Sequence, residues 1–339
     1  MNVAIVGCGL IGKKRAAALQ ADDRLVACCD TDAQAADTFA NLYSCKPFTD
    51  LDAMLAECVC DVVIVAVINK HAKSVISSSL KEHKHVLAEK PLGRNVSESR
   101  EIVEILRDVN KSRNAGKKIS LKTGFNHRFH PAIQKAKELT DSGAIGRLMV
   151  IRASYGHGGR PGMEREWRAS KELCGGGELL DQGVHIIDLI RWFGGEVAEV
   201  SGAVRTVFWN TDVEDNAFAI LRTIQDVTAS MHVSWTNWKN TFSFEVFGKD
   251  GYIHVQGLGG SYGLETLEIG RRKKEGGRPD IEIFEFPQGD SSWINEWREF
   301  KLSIHEGRNA IGSGEDGLKS NAVVDAIYRS DYLKKVVTL

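Results

Sequence analysis

Asp181 and His185 stand four residues apart in the segment Gly175-Gly176-Gly177-Glu178-Leu179-Leu180-Asp181-Gln182-Gly183-Val184-His185-Ile186-Ile187-Asp188. On a helix, residues four apart share a face, so the two side chains can address one atom together. Imidazole titrates near neutral pH, which suits it to general acid–base work beside a carboxylate. The same spacing also fits a solvated helical pair, or two metal ligands lacking a third. A second group, Glu89-Lys90-Pro91, ends an apolar run. A third, Gly7-Cys8-Gly9-Leu10-Ile11-Gly12, follows a strand pattern and opens a helical one, with Asp30 eighteen residues after Gly12. In that context the glycines allow a tight turn, close approach of backbone to a pyrophosphate and close helix packing, while the helix N-terminus attracts the anion. Gly7, Gly9, Leu10, Ile11 and Gly12 are therefore the predicted cofactor cradle, and Asp30 the acceptor for the adenosine ribose hydroxyls. Asp32 adds a carboxylate and no basic residue follows before Lys46. A 2'-phosphate would meet repulsion, so NAD is favoured over NADP. Lys13, Lys14 and Arg15 read as a solvated basic helix turn.

The elements that must position these groups alternate. Strands are predicted over Asn2–Val6, Leu25–Cys29, Asp61–Val67, His85–Glu89 and Ile119–Gly124, separated by helical stretches. That order makes a doubly wound parallel sheet whose ligands sit at the carboxyl ends of its strands, which is where Lys90 falls. After Phe125 the pattern changes. A helix beginning at His130, a long loop over 157–177 and a helix over 178–193 precede seven alternating runs between Val197 and Phe286, an antiparallel sheet. Helices over 293–307 and 317–336 close the chain. The fold class is thus α/β: an N-terminal Rossmann domain over 1–125 and an α+β domain with a large, mostly antiparallel open sheet over 126–315. Trp209, Trp235 and Trp238 lie in sheet-like runs and read as core or interface packing.

The 339 residues are long enough for two domains. At 42% hydrophobic and 26% charged the chain can bury a sizeable core. With 44 basic and 45 acidic residues the formal charge is -1, which offers no handle for nucleic acid or an anionic membrane. Seven cysteines without a CxxC pair read as free thiols in a reducing compartment, and no metal site is expected. The chain is read as soluble and cytoplasmic.

Together these motifs resemble the Gfo/Idh/MocA family, named for glucose-fructose oxidoreductase, inositol dehydrogenase and a rhizopine-catabolism protein. The resemblance rests on the N-terminal glycines, Glu89-Lys90-Pro91, Asn126-His127-Arg128-Phe129, Trp167-Arg168 and the Gly175–Asp188 segment, and covers essentially the whole chain. It implies hydride transfer between NAD(P) and a secondary alcohol carbon of a sugar, sugar acid, inositol or nucleotide sugar, with Lys90, Asp181 and His185 as the catalytic trio. His185 would take the hydroxyl proton, Lys90 hold the developing alkoxide, and Asp181 fix the hydroxyl and tune His185. Asn69, His71, Glu89 and Lys90 are expected at the cofactor, although Ile68-Asn69-Lys70-His71 departs from the Thr-Pro usual before that histidine. Asn126, Arg128, Arg160, Trp167 and Arg168 are expected at the substrate with the trio; His157 and Glu166 also belong to this polar, partly basic wall, which fits a polyol or an anionic sugar. The resemblance further implies a homodimer or homotetramer formed through the sheet, and a C-terminal helix over 316–339 returning toward the Rossmann domain. A non-catalytic NAD(P)-binding regulator of the same fold is the alternative function.

Overall fold

Alternation in the first strand sets the first layer. Val3 and Ile5 point to one face of a sheet and Ala4 and Val6 to the other, and all four are buried. In the computed structural model, which describes residues 1–112 and 118–339, the elements follow in the order β1 (Asn2–Val6), α1 (Leu10–Ala17), β2 (Arg24–Cys29), α2 (Ala33–Tyr43), β3 (Lys46–Phe48), α3 (Leu51–Glu57), β4 (Val62–Val65), α4 (Asn69–Lys81), β5 (His85–Ala88), α5 (Val96–Ser112), β6 (Leu121–Thr123), α6 (Pro131–Asp141), β7 (Leu148–Gly156), α7 (Lys171–Cys174), α8 (Val184–Gly194), β8 (Val197–Arg205), β9 (Asn216–Thr223), β10 (Thr228–Ser234), β11 (Thr241–Gly248), β12 (Gly251–Gln256), β13 (Glu265–Arg271), β14 (Asp280–Phe286), α9 (Ser292–Glu306), α10 (Gly314–Leu333) and β15 (Val337–Thr338).

These elements form two compact units, Met1–Phe125 with Trp293–Lys319, and Asn126–Ser292 with Ser320–Leu339. In the first unit six parallel strands run in the order β3-β2-β1-β4-β5-β6. One face packs Ala4, Val63, Val86, Ile76, Leu80 and Ile102; the other packs Val3, Ile5, Ile64, Leu87 and Phe39. Trp297 and Phe300 of α9 join this second face. The helix expected in the second domain therefore belongs to the first unit, its Trp297 and Phe300 packed in one cluster with Val3, Ile5, Ile64 and Phe39. Residues 314–333 form one helix, α10, whose first residues, through Lys319, belong to the first unit, with Leu318 packed on its core, while 320–339 belong to the second unit and end in β15, which pairs with β8.

The second unit holds a nine-stranded sheet, β14-β13-β12-β11-β7-β10-β9-β8-β15. All seven expected strands are present as β8 to β14. Its central strand, β7, was not expected; it runs parallel to β10 and antiparallel to β11. The long loop over 157–177 contains two short 3-10 turns and α7. Trp209 and Trp235 are buried, with Trp209 Nε1 donating to the Trp235 carbonyl oxygen at 3.0 Å. Trp238 is not in the core: it is 62% exposed, with Phe208 edge-on to it. The seven cysteines form no disulfide. Among the described residues no helix is long and apolar enough to cross a membrane.

Candidate active site

The first unit builds a dinucleotide cradle from backbone. Gly7 has φ +97°, and a Cβ there would meet the Ala66 carbonyl oxygen at 2.4 Å. A Cβ on Gly12 would meet the Gly7 carbonyl oxygen at 2.0 Å, so only glycine lets α1 start this close to the turn. A Cβ on Gly9 would meet nothing within 4 Å, which leaves open space beside the N-terminus of α1. That terminus carries no side-chain cap, and Leu10 beside it is exposed. Uncapped N–H groups at a helix start, next to an open glycine, suit a pyrophosphate. Asp30 ends β2, its Oδ2 accepting from the Cys8 N–H at 2.8 Å and its Oδ1 from the Asp32 N–H at 3.0 Å. The carboxylate is thereby fixed beside the glycine loop. Asn69 and His71 lie in the first turn of α4.

Glu89 and Lys90 follow β5, the Glu89 N–H donating to the Val65 carbonyl oxygen at 2.9 Å. The Glu89 carboxylate faces Arg15, with Nε at 2.6 Å and Nη2 at 2.5 Å. Arg15 Nη1 donates to Glu296 Oε2 at 2.6 Å. Its guanidinium also lies over the Trp293 ring, 4.4 Å from the centroid. Arg15 is therefore not part of a solvated basic turn: it is 1% exposed and ties α1 to the residue before Lys90. Burial raises the Glu89 pKa, and the Arg15 charge opposes that rise. Gly124 belongs to this packing too, since a Cβ there would meet Arg15 Nη2 at 2.7 Å. Glu89, expected at the cofactor, thus has a charge partner within the unit.

In the second unit the glycine run serves packing against a carboxylate. A Cβ on Gly177 would meet the Glu214 carbonyl oxygen at 2.0 Å, and one on Gly176 the Tyr328 hydroxyl at 2.3 Å. The Gly177 and Leu179 N–H groups donate to Glu214 Oε1 at 3.0 and 3.1 Å, and Tyr328 donates to the same oxygen at 2.7 Å. Burial pushes the Glu214 pKa up, while these donors pull it down. A carboxylate in this position caps the first turn of the segment that carries Asp181. Leu179–Gly183 is a π turn that runs into α8, so Asp181 and His185 sit on either side of a π-to-α junction rather than within one α-helix. Such bulges occur frequently at functional sites.

Asp181 is half-buried and its Oδ2 lies 3.3 Å from Arg168 Nε. The Arg168 guanidinium stacks 4.4 Å from the Trp167 ring. His185 is buried and lies face to face with His127, ring centroids 3.8 Å apart and planes 17° off parallel. Tyr155 closes edge-on against His127 at 5.2 Å. Tyr155 also packs on Tyr262, whose hydroxyl accepts from Gln182 Nε2 at 3.3 Å. Burial raises the Tyr155 pKa far above its ordinary value, so this phenol is neutral at physiological pH. Burial lowers the His157 pKa, with Asp181 opposing.

The remaining expected substrate residues are each engaged within the second unit. Asn126 is buried, its Nδ2 donating to Ser292 Oγ at 2.9 Å. Arg128 makes a buried bidentate pair with Asp188, Nε to Oδ2 at 2.7 Å and Nη2 to Oδ1 at 2.6 Å. Arg160 makes an exposed bidentate pair with Glu166 at 2.7 and 2.6 Å. Trp167 lines an open cleft of about 450 Å³ with Glu164, Asn210 and Asp212, and neither Asp181 nor His185 lines it. Tyr155, Tyr262 and Glu214 were not singled out from the sequence, and His127 was quoted only within the Asn126–Phe129 motif, with no role.

Two family models match this chain. Residues 1–114 match the oxidoreductase family with an NAD-binding Rossmann fold, and residues 133–254 match the GFO/IDH/MocA C-terminal domain. The chain belongs to the Gfo/Idh/MocA oxidoreductase family. It is 25% identical to inositol 2-dehydrogenase from Rhizobium meliloti (strain 1021), over 99% of this chain and 98% of that one. It is also 25% identical to levoglucosan dehydrogenase from Pseudarthrobacter phenanthrenivorans, over 77% of this chain and 75% of the relative. The solved structure of levoglucosan dehydrogenase in complex with NADH superposes with a TM-score of 0.89 at 22% identity, covering 100% of this chain and 98% of that one, a likeness of fold. For a Gfo/Idh/MocA chain, the glycine cradle with Asp30 at the end of β2 fits NAD by its own geometry.

Proposed function

We propose that the protein oxidises a secondary alcohol carbon of a neutral sugar or polyol, or reduces the matching ketone, with NAD as the hydride carrier and Lys90, Asp181 and His185 as its catalytic residues. The observation that carries this reading is His185 held buried and ring-fixed beyond a capped π turn that also presents Asp181, in a chain with an NAD cradle. NAD, when bound, supplies a nicotinamide carbon that accepts hydride from the carbinol carbon. His185 takes the hydroxyl proton as the hydride leaves, so the products are the ketone, reduced cofactor and a protonated imidazole. The Lys90 ammonium stabilises the negative charge growing on the oxygen. Asp181 accepts from a neighbouring substrate hydroxyl and so keeps the reacting hydroxyl aimed at His185.

The substrate's charge class follows from ion pairing. Arg128, Arg160 and Arg168, the three arginines of the wall expected to fit a polyol or an anionic sugar, face Asp188, Glu166 and Asp181. A substrate carboxylate would lose hydration without gaining any of them as an uncommitted partner. In turn, the Tyr155, Tyr262 and Gln182 side chains offer neutral polar groups suited to hydroxyls. Matched probes such as a uronamide and its uronate, scored by NAD reduction, test this. The neutral member is expected to show about tenfold or higher kcat/KM, and a preference for the uronate would contradict the neutral class.

The relatives' dehydrogenase names agree with this reading, and the sheet supports self-association. Along β9 alternate residues are exposed, among them Phe218 and Ile220. Phe218 stacks on His232 of β10 with centroids 4.2 Å apart. An apolar patch on one sheet face fits a symmetric contact between copies. Light scattering at micromolar protein is expected to give a dimer or tetramer; a monomer would exclude it.

A further inference from the structure

We propose that His127 is a positioning residue for His185, holding its ring in plane and stabilising its protonated form through the face of the His127 imidazole. This rests on the reading of His185 as the proton acceptor. The two rings are stacked at 3.8 Å and 17°. No group fits between rings at that separation, so the His127 face is the immediate environment of the His185 ring. His127 is itself fixed. His130, Tyr155 and Phe242 meet it edge-on at 5.7, 5.2 and 6.1 Å. Its Nδ1 lies 3.2 Å from Asn126 Oδ1. Because Asn126 Nδ2 donates to Ser292 Oγ, the oxygen of that amide is the atom turned to His127, and His127 Nδ1 is the donor. That bond places a proton on Nδ1 of His127.

The consequence for catalysis is differential. Before proton transfer His185 is neutral, and stacking two neutral imidazoles adds little beyond packing. As hydride leaves the substrate, His185 gains a proton and becomes a cation lying over an aromatic face, which attracts it more strongly. An interaction that strengthens toward the transition state raises kcat rather than substrate affinity. Ionisable groups on the surrounding elements include Asp181 with Arg168, Glu178, the Arg128–Asp188 pair, Arg191 with Asp188 and Glu196, Tyr155, Tyr262, His157, and His130 with Glu265 and Asp290. Most of the charges among them are matched in pairs, whereas His127 contributes a ring face.

The test compares wild type, His127→Phe, His127→Leu and His185→Ala, reading kcat, KM, NAD affinity, melting temperature and the pH profile of kcat/KM on the same preparations. Phenylalanine keeps the face and removes the titratable nitrogen, so kcat is expected within about threefold of wild type with the acid limb unmoved. Leucine fills the space without a π face. It is expected to lower kcat about tenfold, with KM and NAD affinity within about threefold, and to move the acid limb down by roughly half a unit to one unit, because the imidazolium loses stabilisation. A folded His127→Leu enzyme with wild-type kcat and acid limb overturns the proposal, and so does a His127→Phe enzyme as impaired as the leucine variant. Near-normal turnover in folded His185→Ala would instead remove the base assignment on which the proposal rests.

Discussion

His185→Ala is expected to lower kcat by about two to four orders of magnitude, the usual range for loss of a general base. The residual activity should no longer show the acid limb of the pH profile, because the group whose protonation silenced the enzyme is gone. His185 is also buried and stacked, so the substitution removes packing as well as chemistry. Melting temperature separates the two. A structural role would lower activity in step with the unfolded fraction, whereas the base role predicts a folded protein with low kcat and near-normal NAD affinity. Addition of free imidazole should restore part of the lost rate in the cavity left behind. Near-normal turnover in the folded variant would end the assignment.

Lys90→Ala is expected to lower kcat by about a hundredfold or more while NAD affinity changes only a few-fold, since the ammonium acts on charge that is complete only in the transition state. Lys90 follows a strand whose core residues Val86, Leu87 and Ala88 are fully buried, and Glu89 beside it is paired to Arg15. The alanine variant therefore keeps the scaffold that places residue 90. Combining it with His185→Ala should cost less than the product of the single losses, because groups that act on one step are not additive. Fully multiplicative effects would mean that the two residues serve separate steps.

The Rossmann unit was legible because its strands are continuous apolar runs and its glycines stand at fixed offsets from them. β3 escaped because it is three residues long with Pro47 in its middle, and only its pairing with β2 makes it a strand. β7 escaped for a different reason: Met149 and Val150 are both exposed, so the two-residue alternation begins only at Ile151. At the site, spacing pointed to Asp181 and His185 but not to what holds them. Glu214 lies 33 positions beyond Asp181 in a turn with no local signature, and His127 meets His185 only through the fold. Arg15 was misread because three successive basic residues suggest solvent, while the helix turns the third inward to Glu89 and Glu296. Arg128, Arg160 and Arg168 belonged to a wall read as fitting a polyol or an anionic sugar; their carboxylate partners become visible only in three dimensions.

The central claim is that this chain moves hydride between a polyol carbon and NAD, and isotope transfer tests it most directly. Neutral sugars and polyols deuterated at their secondary carbinol carbons would be incubated with the protein and NAD, and the reduced cofactor analysed by mass spectrometry and proton NMR. The account predicts that a turned-over substrate delivers its deuterium to the nicotinamide C4 position, with no washout to solvent, and that His185→Ala and Lys90→Ala proteins lose this transfer while still binding NAD. Binding of NAD without any deuterium transfer from any member of the set would contradict it and leave a protein that senses the cofactor without using it.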